Sequence, residues 1–167
     1  MRALLVALFL AIGAGAYAAQ AAVLPAPVDL HADGIRAAQH GKPVVILFSL
    51  PGCAYCEVVR NNYLAPLLRN ESATLRPIIR EVDISANERF VDFKKKQVTH
   101  QELAGRYRVH VAPTVIFVDR AGTLLTEPIV GGDTAGLYGG YLDNAFAEAT
   151  RKIGASRPIE ETKGDKK

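Results

Sequence analysis

Thiols are scarce in this chain. Cys53 and Cys56 are the only cysteines among 167 residues, and Met1 is the only methionine. Two cysteines three positions apart make a poor structural staple, because a disulfide stabilises most when it closes a long loop. Structural zinc needs four ligands, and His31, His40, His100 and His110 are too scattered to complete a set with this pair. Net charge is also small. A formal excess of +3, spread along the chain, excludes an electrostatic nucleic-acid binder. The longest basic run, Lys94 to Lys96, reads as a solvated surface. No internal repeat is present, which excludes a solenoid. With 49% hydrophobic and 22% charged residues, the sequence falls among ordinary globular proteins and not disordered ones.

The N-terminus has a secretory pattern. Arg2 precedes the apolar run "ALLVALFLAI", and small residues follow in "AGAYAAQAAV". A positive start, an apolar centre and an Ala-x-Ala exit predict a cleaved leader over residues 1–21, with cleavage after Ala18 or Ala21. An uncleaved anchor is the alternative, since no charge occurs between Ala3 and Leu24. The Gly/Ala-rich second half favours cleavage and hence no stable membrane insertion. No cysteine follows the apolar run, so a lipid-anchored lipoprotein is not expected. The expected location is the bacterial periplasm, an oxidising space where thiols pair.

Beyond the leader, residues 22–28 read as a Pro-rich linker, residues 29–154 as one domain and residues 155–167 as a polar tail. "DLHADGIRAAQHGK" predicts a helix stopped at Gly41. "PVVILFSL", bounded by Pro43 and Pro51, predicts a strand buried on both faces. Helical spacing resumes from Ala54 to Asn70, with Pro66 kinking or restarting it. "RPIIREVDI" predicts a second strand, and "SANERFVDFKKKQV" a loop with an extra turn or short strand. Thr99 and Glu102 form a capping-box pattern opening a third helix. "PTVIFVDRAGTLLTEPIVGG" predicts a hairpin turning at Asp119–Gly122. A last helix should face inward through Leu137, Tyr141, Leu142, Ala145 and Phe146. Phe48 and Phe117 should be core, and Tyr107, Tyr138 and Tyr141 should serve helix packing. The alternation predicts an α/β fold: a mixed central sheet flanked by helices on both faces.

On this framework Cys53 lies between a buried strand and the mouth of a helix, where free N–H groups and the helix dipole favour an anion. A thiolate there has a lowered pKa and is the attacking sulfur; Cys56, one turn on, is positioned to resolve the mixed disulfide. Two alternatives use the same pair: copper(I) held by both thiolates, which lacks a supporting Met, and an inert pair.

With "VHVAPTVIFVD" added, the chain resembles the thioredoxin superfamily, and in particular its secreted bacterial members, over about Asp29 to Gly154. "ELAGRYRVHVAPTVIFVDRAGTLL" and Gly131–Gly132 carry the likeness in the C-terminal half. The resemblance implies a thioredoxin fold and a thiol–disulfide oxidoreductase with no cofactor and no metal. It implies partners that are proteins bearing cysteines or disulfides, together with a redox partner protein. It further implies a cis peptide at Pro113, with Ala112, Pro113 and Thr114 docking an extended client by strand addition. Without the cysteine motif, Pro113 would read as an edge-strand proline. Tyr55 is expected on the exposed side of the helix start, offering clients an amphipathic contact.

Two positions depart from cytosolic thioredoxins: Gly52 replaces a Trp, and Leu47 replaces a buried Asp that moves protons near the second cysteine. Proton transfer then falls to water or another carboxylate. Glu57 is a candidate, although it also reads as a plain surface residue. A Tyr before the second cysteine is similar to periplasmic disulfide isomerases, but only about twenty residues would separate the leader from Val44, too few for their dimerisation domain. His110, three residues before Pro113, is a further candidate for the same face or a bystander.

Overall fold

The computed structural model describes residues 23–69 and 77–156. Its strands are β1 Val44–Ser49, β2 Ile78–Asp83, β3 Arg89–Val91, β4 Gln97–Thr99, β5 Thr114–Val118 and β6 Ile129–Val130. Its α-helices are α1 Leu30–Gln39, α2 Ala54–Val58, α3 His100–Arg106 and α4 Tyr138–Ala155.

The continuous apolar run becomes β1, and every residue of it is buried. β1 is central because both neighbours need its edges: β2 pairs with it in parallel and β5 antiparallel. β6 then pairs antiparallel with β5, giving the sheet order β2-β1-β5-β6. Successive side chains of a strand point to opposite faces, so β1 feeds two cores. Val45 and Leu47 pack with Val59, Leu64, Val115, Phe117, Tyr138 and Leu142 under α2 and α4. Val44, Ile46 and Phe48 pack with Leu30, Leu103, Phe90, Val98 and Ile116 under α1, α3 and the β3–β4 hairpin. The expected mixed sheet with helices on both faces is what forms.

Local signals explain most element ends. Asp29 caps α1 by accepting from the Ala32 N–H at 2.8 Å, and Thr99 with Glu102 forms the predicted capping box of α3. The turn after β5 lies at Asp119, whose carboxylate accepts from the N–H groups of Ala121 and Thr123.

Four details differ from the sequence reading. The long second helix is α only to Val58, then a π-turn over Val59–Leu64 and a 3-10 turn over Ala65–Arg69. Pro66 brings no N–H and crowds the carbonyl one turn back; the wider turn, with the Ala65 N–H reaching the Arg60 carbonyl, accommodates it. The segment "SANERFVDFKKKQV", read as a loop with an extra turn or short strand, carries β3 and leads into β4, an antiparallel hairpin whose three-residue strands are too short to display a period. In the β5–β6 hairpin the second arm is interrupted: Leu124 bridges to Val118, and pairing resumes only at Ile129 after Pro128. The inward stripe of α4 is Tyr138, Leu142, Ala145 and Ala149, while Leu137 and Tyr141 are exposed. Leu142, Ala145 and Phe146 face inward as expected, Phe146 edge-on to Phe117, while at the helix start Tyr138, against Tyr63, takes the inward place expected of Leu137 and Tyr141.

The Pro-rich stretch read as a linker is fastened to the domain. Leu24 is buried, and the carbonyls of Pro25 and Val28 accept from the N–H groups of Glu81 and Val91. The leader, residues 1–21, and the tail beyond Ser156 lie outside the described residues. Among the described residues, no helix is long and apolar enough to cross a membrane.

Candidate active site

β1 ends at Ser49, and the chain turns at Pro51-Gly52, where Gly52 has φ +69°, a left-handed backbone that favours glycine. The turn places Cys53 at the N-cap of α2, its N–H on the Leu50 carbonyl and its carbonyl accepting from the Glu57 N–H. Its sulfur also accepts from the Cys56 N–H at 3.2 Å, so it occupies the position of a capping side chain. Cys53 and Cys56 form a disulfide with their Cα atoms 5.2 Å apart. The two sulfurs are not equivalent in access: Cys56 is fully buried, and Cys53 is partly exposed. A partner sulfur can therefore reach only Cys53.

The Ala112–Pro113 peptide is cis. Pro113 is buried and its carbonyl accepts from the Gly131 N–H at 2.8 Å. Thr114 is also buried; its hydroxyl donates to the Val111 carbonyl at 2.7 Å, so its side chain holds the loop together. Among the described residues neither backbone group of Ala112 has a hydrogen-bond partner. Val111 beside it is exposed. The loop thus offers a short stretch of unpaired backbone with an apolar flank.

Tyr55 lies on the exposed side of the helix start, as expected, with 56% of its surface open. One side of it rests on the β6–α4 connection: a Cβ placed on Gly132 would sit 2.7 Å from Tyr55 Cβ. This contact, with the Gly131–Pro113 hydrogen bond, brings the cysteine helix, the cis-proline loop and the Gly131–Gly132 segment together.

Neighbouring polar groups sort into a few roles. Leu47 is buried, and its register partner on β2 is Glu81, on the same face of the sheet. Glu81 is held by Arg60, which donates through Nε at 2.8 Å and Nη2 at 2.5 Å. The hydrogen bond to Glu81 raises the Arg60 pKa above its ordinary value, against the opposing effect of burial. Glu57 is exposed, in keeping with its surface reading, and His110 is exposed on the approach to Pro113. His100 is buried edge-on against Phe90, with its Nδ1 accepting from the Asp83 N–H at 3.2 Å. Burial lowers the His100 pKa from 6.5, while Glu88 and Asp83 pull it the other way. Among the described residues, no group of three or more His, Cys, Asp or Glu could hold a metal ion.

The sequence reading passed over two residues. Tyr63, from the π-turn, donates its hydroxyl hydrogen to Asp133 in the β6–α4 connection. Asp133 also accepts from the backbone N–H groups of Gly136, Leu137 and Tyr138 at the start of α4. An Asp placed before a helix is a legible cap signal, but its link to Tyr63 spans 70 positions and leaves no local trace.

A family model for a thioredoxin-like domain matches residues 30–145. No curated protein sequence matches the chain. Similar solved structures include a thioredoxin from Thermus thermophilus, at 24% identity over 80% of this chain and 92% of that one, with a TM-score of 0.49. A thioredoxin-fold protein from Helicobacter pylori is 20% identical over 69% and 81%, with a TM-score of 0.48. The oxidised C-terminal domain of DsbD from Neisseria meningitidis is 21% identical over 72% and 98%, with a TM-score of 0.45. The family match spans most of the chain and includes both cysteines and the cis proline, and on that ground this protein belongs to the thioredoxin-like domain family.

Proposed function

We propose that this protein is a periplasmic thiol–disulfide oxidoreductase that exchanges electrons with the cysteines of other proteins. The observation that carries the reading is the unequal access of one disulfide: Cys53 open at a helix start, Cys56 buried behind it. In the reduced protein the Cys53 thiolate, favoured by the unpaired N–H groups at the helix start, attacks a client disulfide. A Cys53–client bond forms, the client S–S bond breaks, and the first client sulfur leaves as a thiolate that takes a proton from water. Cys56 then gives up its thiol proton to water, and its sulfur attacks Cys53 and expels the second client thiolate, leaving the Cys53–Cys56 disulfide and a client reduced by two electrons. The oxidised form runs the same steps in reverse. Ala112, with its free backbone groups, pairs with an extended client, and Pro113, Thr114 and Tyr55 form the surroundings. The apolar leader with its Ala-x-Ala exits supports export to the periplasm, which cell fractionation would test.

The deciding experiment is insulin reduction by the purified mature protein with dithiothreitol. Wild-type protein should accelerate it, and Cys53→Ser should lower the rate at least about a hundredfold. Activity retained in Cys53→Ser would remove the role assigned to that sulfur. The rival reading, a copper(I) carrier, draws on the same adjacent sulfurs. Stoichiometric copper retained against a chelator, with insulin left unreduced, would favour it.

A further inference from the structure

Three consecutive residues after β6 each grip a different wall of the disulfide end. The Gly131 N–H donates to the Pro113 carbonyl. Gly132 packs its Cα face against Tyr55. Asp133 then anchors the segment, accepting from three N–H groups at the start of α4 and from the Tyr63 hydroxyl. The Leu137 N-cap position of α4 supplies no side-chain cap of its own, so Asp133 fills that role. Tyr63 belongs to the same helical run as the cysteines and is braced by Tyr138, the ring centroids 5.0 Å apart at 44°.

Apart from this anchor, Gly131 and Gly132 are held by the single Gly131–Pro113 hydrogen bond and the Tyr55 contact. β6 is an edge strand of two residues, paired only with Thr114 and Val115. Gly131 bonds to Pro113, the residue after Ala112, so movement of the segment shifts the loop against which an extended chain would lie.

Building on the oxidoreductase reading, we propose that Tyr63 and Asp133 are positioning residues: their hydrogen bond holds Gly131–Gly132, and through it the Ala112–Pro113 loop, in line with the Cys53 sulfur, and so sets affinity for extended protein clients. Neither residue touches the sulfurs. A small disulfide, which needs no backbone pairing, therefore reacts equally well whether or not the bond is present.

The test compares insulin with a small aromatic disulfide as substrates of the reduced protein. Tyr63→Phe keeps the ring and the helix cap and removes only the hydroxyl. It should raise KM for insulin roughly tenfold, as expected for loss of a hydrogen bond to a charged acceptor, with kcat and the small-disulfide rate within about twofold of wild type. Asp133→Asn, which keeps an acceptor oxygen, should fall between wild type and Tyr63→Phe. Amide exchange over residues 130–138 should quicken in Tyr63→Phe, a readout that needs no substrate. An unchanged insulin KM in an active Tyr63→Phe protein, or parallel losses on both substrates, would overturn the inference alone. Wild-type protein inert toward both substrates would remove the exchange reading and this inference with it.

Discussion

The two faces of the sheet are fastened by different means. Under α1 and α3 the fastenings are buried acids with cationic partners. Asp33, fully buried, receives Arg80 through two nitrogens at 2.6 and 2.7 Å and is also paired with Arg36. Asp92 receives Arg106 and the N–H groups of Lys94 and Lys96. Burial works against the Asp92 charge, but these donors prevail and its pKa is lowered. Under α2 and α4 the polar links sit nearer the periphery, at Tyr63–Asp133 and Arg60–Glu81, and the chain reaches the disulfide through glycine turns. One face is locked by charges that are costly to unpair. The other is held by contacts that leave a sulfur and a backbone edge accessible. With the proposed function, stability and exchange are thus supported from opposite sides of one sheet.

Asp33→Ala is the strongest way to strike the locked face. It leaves the Arg80 guanidinium largely buried without its acid and should cost about 3 kcal/mol, lowering Tm by roughly 10 °C. Calorimetry would measure this, and the insulin rate of the folded fraction should not change. An equal loss of exchange rate would show that the faces are not separable.

A matched pair of glycines sharpens the contrast. A Cβ on Gly34 in α1 would lie 2.5 Å from the Arg120 carbonyl oxygen, and one on Gly132 would lie 2.7 Å from Tyr55 Cβ. Gly34→Ala should destabilise by about 1–3 kcal/mol and spare exchange. Gly132→Ala should displace Tyr55 and slow insulin reduction roughly tenfold with a smaller change in Tm. Reversal of that pattern would break the comparison.

The smallest expected effect is a pH slope. The unfolded chain takes up a proton at His100 near the ordinary 6.5, whereas the folded chain, with this pKa lowered by burial, does so only at more acid pH. The unfolded state therefore binds more protons in that window. This contribution to stability is complete above 6.5 and is lost as pH falls through the folded value. Denaturant titrations from pH 7.5 to 5 should show the slope flattened in His100→Gln, with the pH dependence of exchange retained.

The legible parts of this molecule are those whose cause is local. Val44–Phe48 is uniformly apolar because both faces of the strand are covered, and that shows in composition. Thr99 and Glu102 sit three residues apart because a helix begins there. Cys53 and Cys56 sit three apart because one turn brings two sulfurs together. The illegible parts have distant causes. Leu137 and Tyr138 are neighbours at the start of α4, and which one turns inward depends on Tyr63 and a core assembled from distant segments. The β3–β4 strands exist because Phe90 and Val98 meet a core built by α1 and α3, not because three residues display a period.

The amino-acid order alone determined the alternation of elements, the two cores fed by β1 and the pair of sulfurs at a helix start, since periodicity, capping and spacing act within a few residues. The tertiary structure alone decided that the cysteine helix gives way to a π-turn at Val59, that Tyr138 and not Leu137 turns inward, and how Asp133 ties α4 to the cysteine helix. Those outcomes depend on burial and hydrogen bonds between segments far apart in the chain, and their geometry exists only once the sheet has closed.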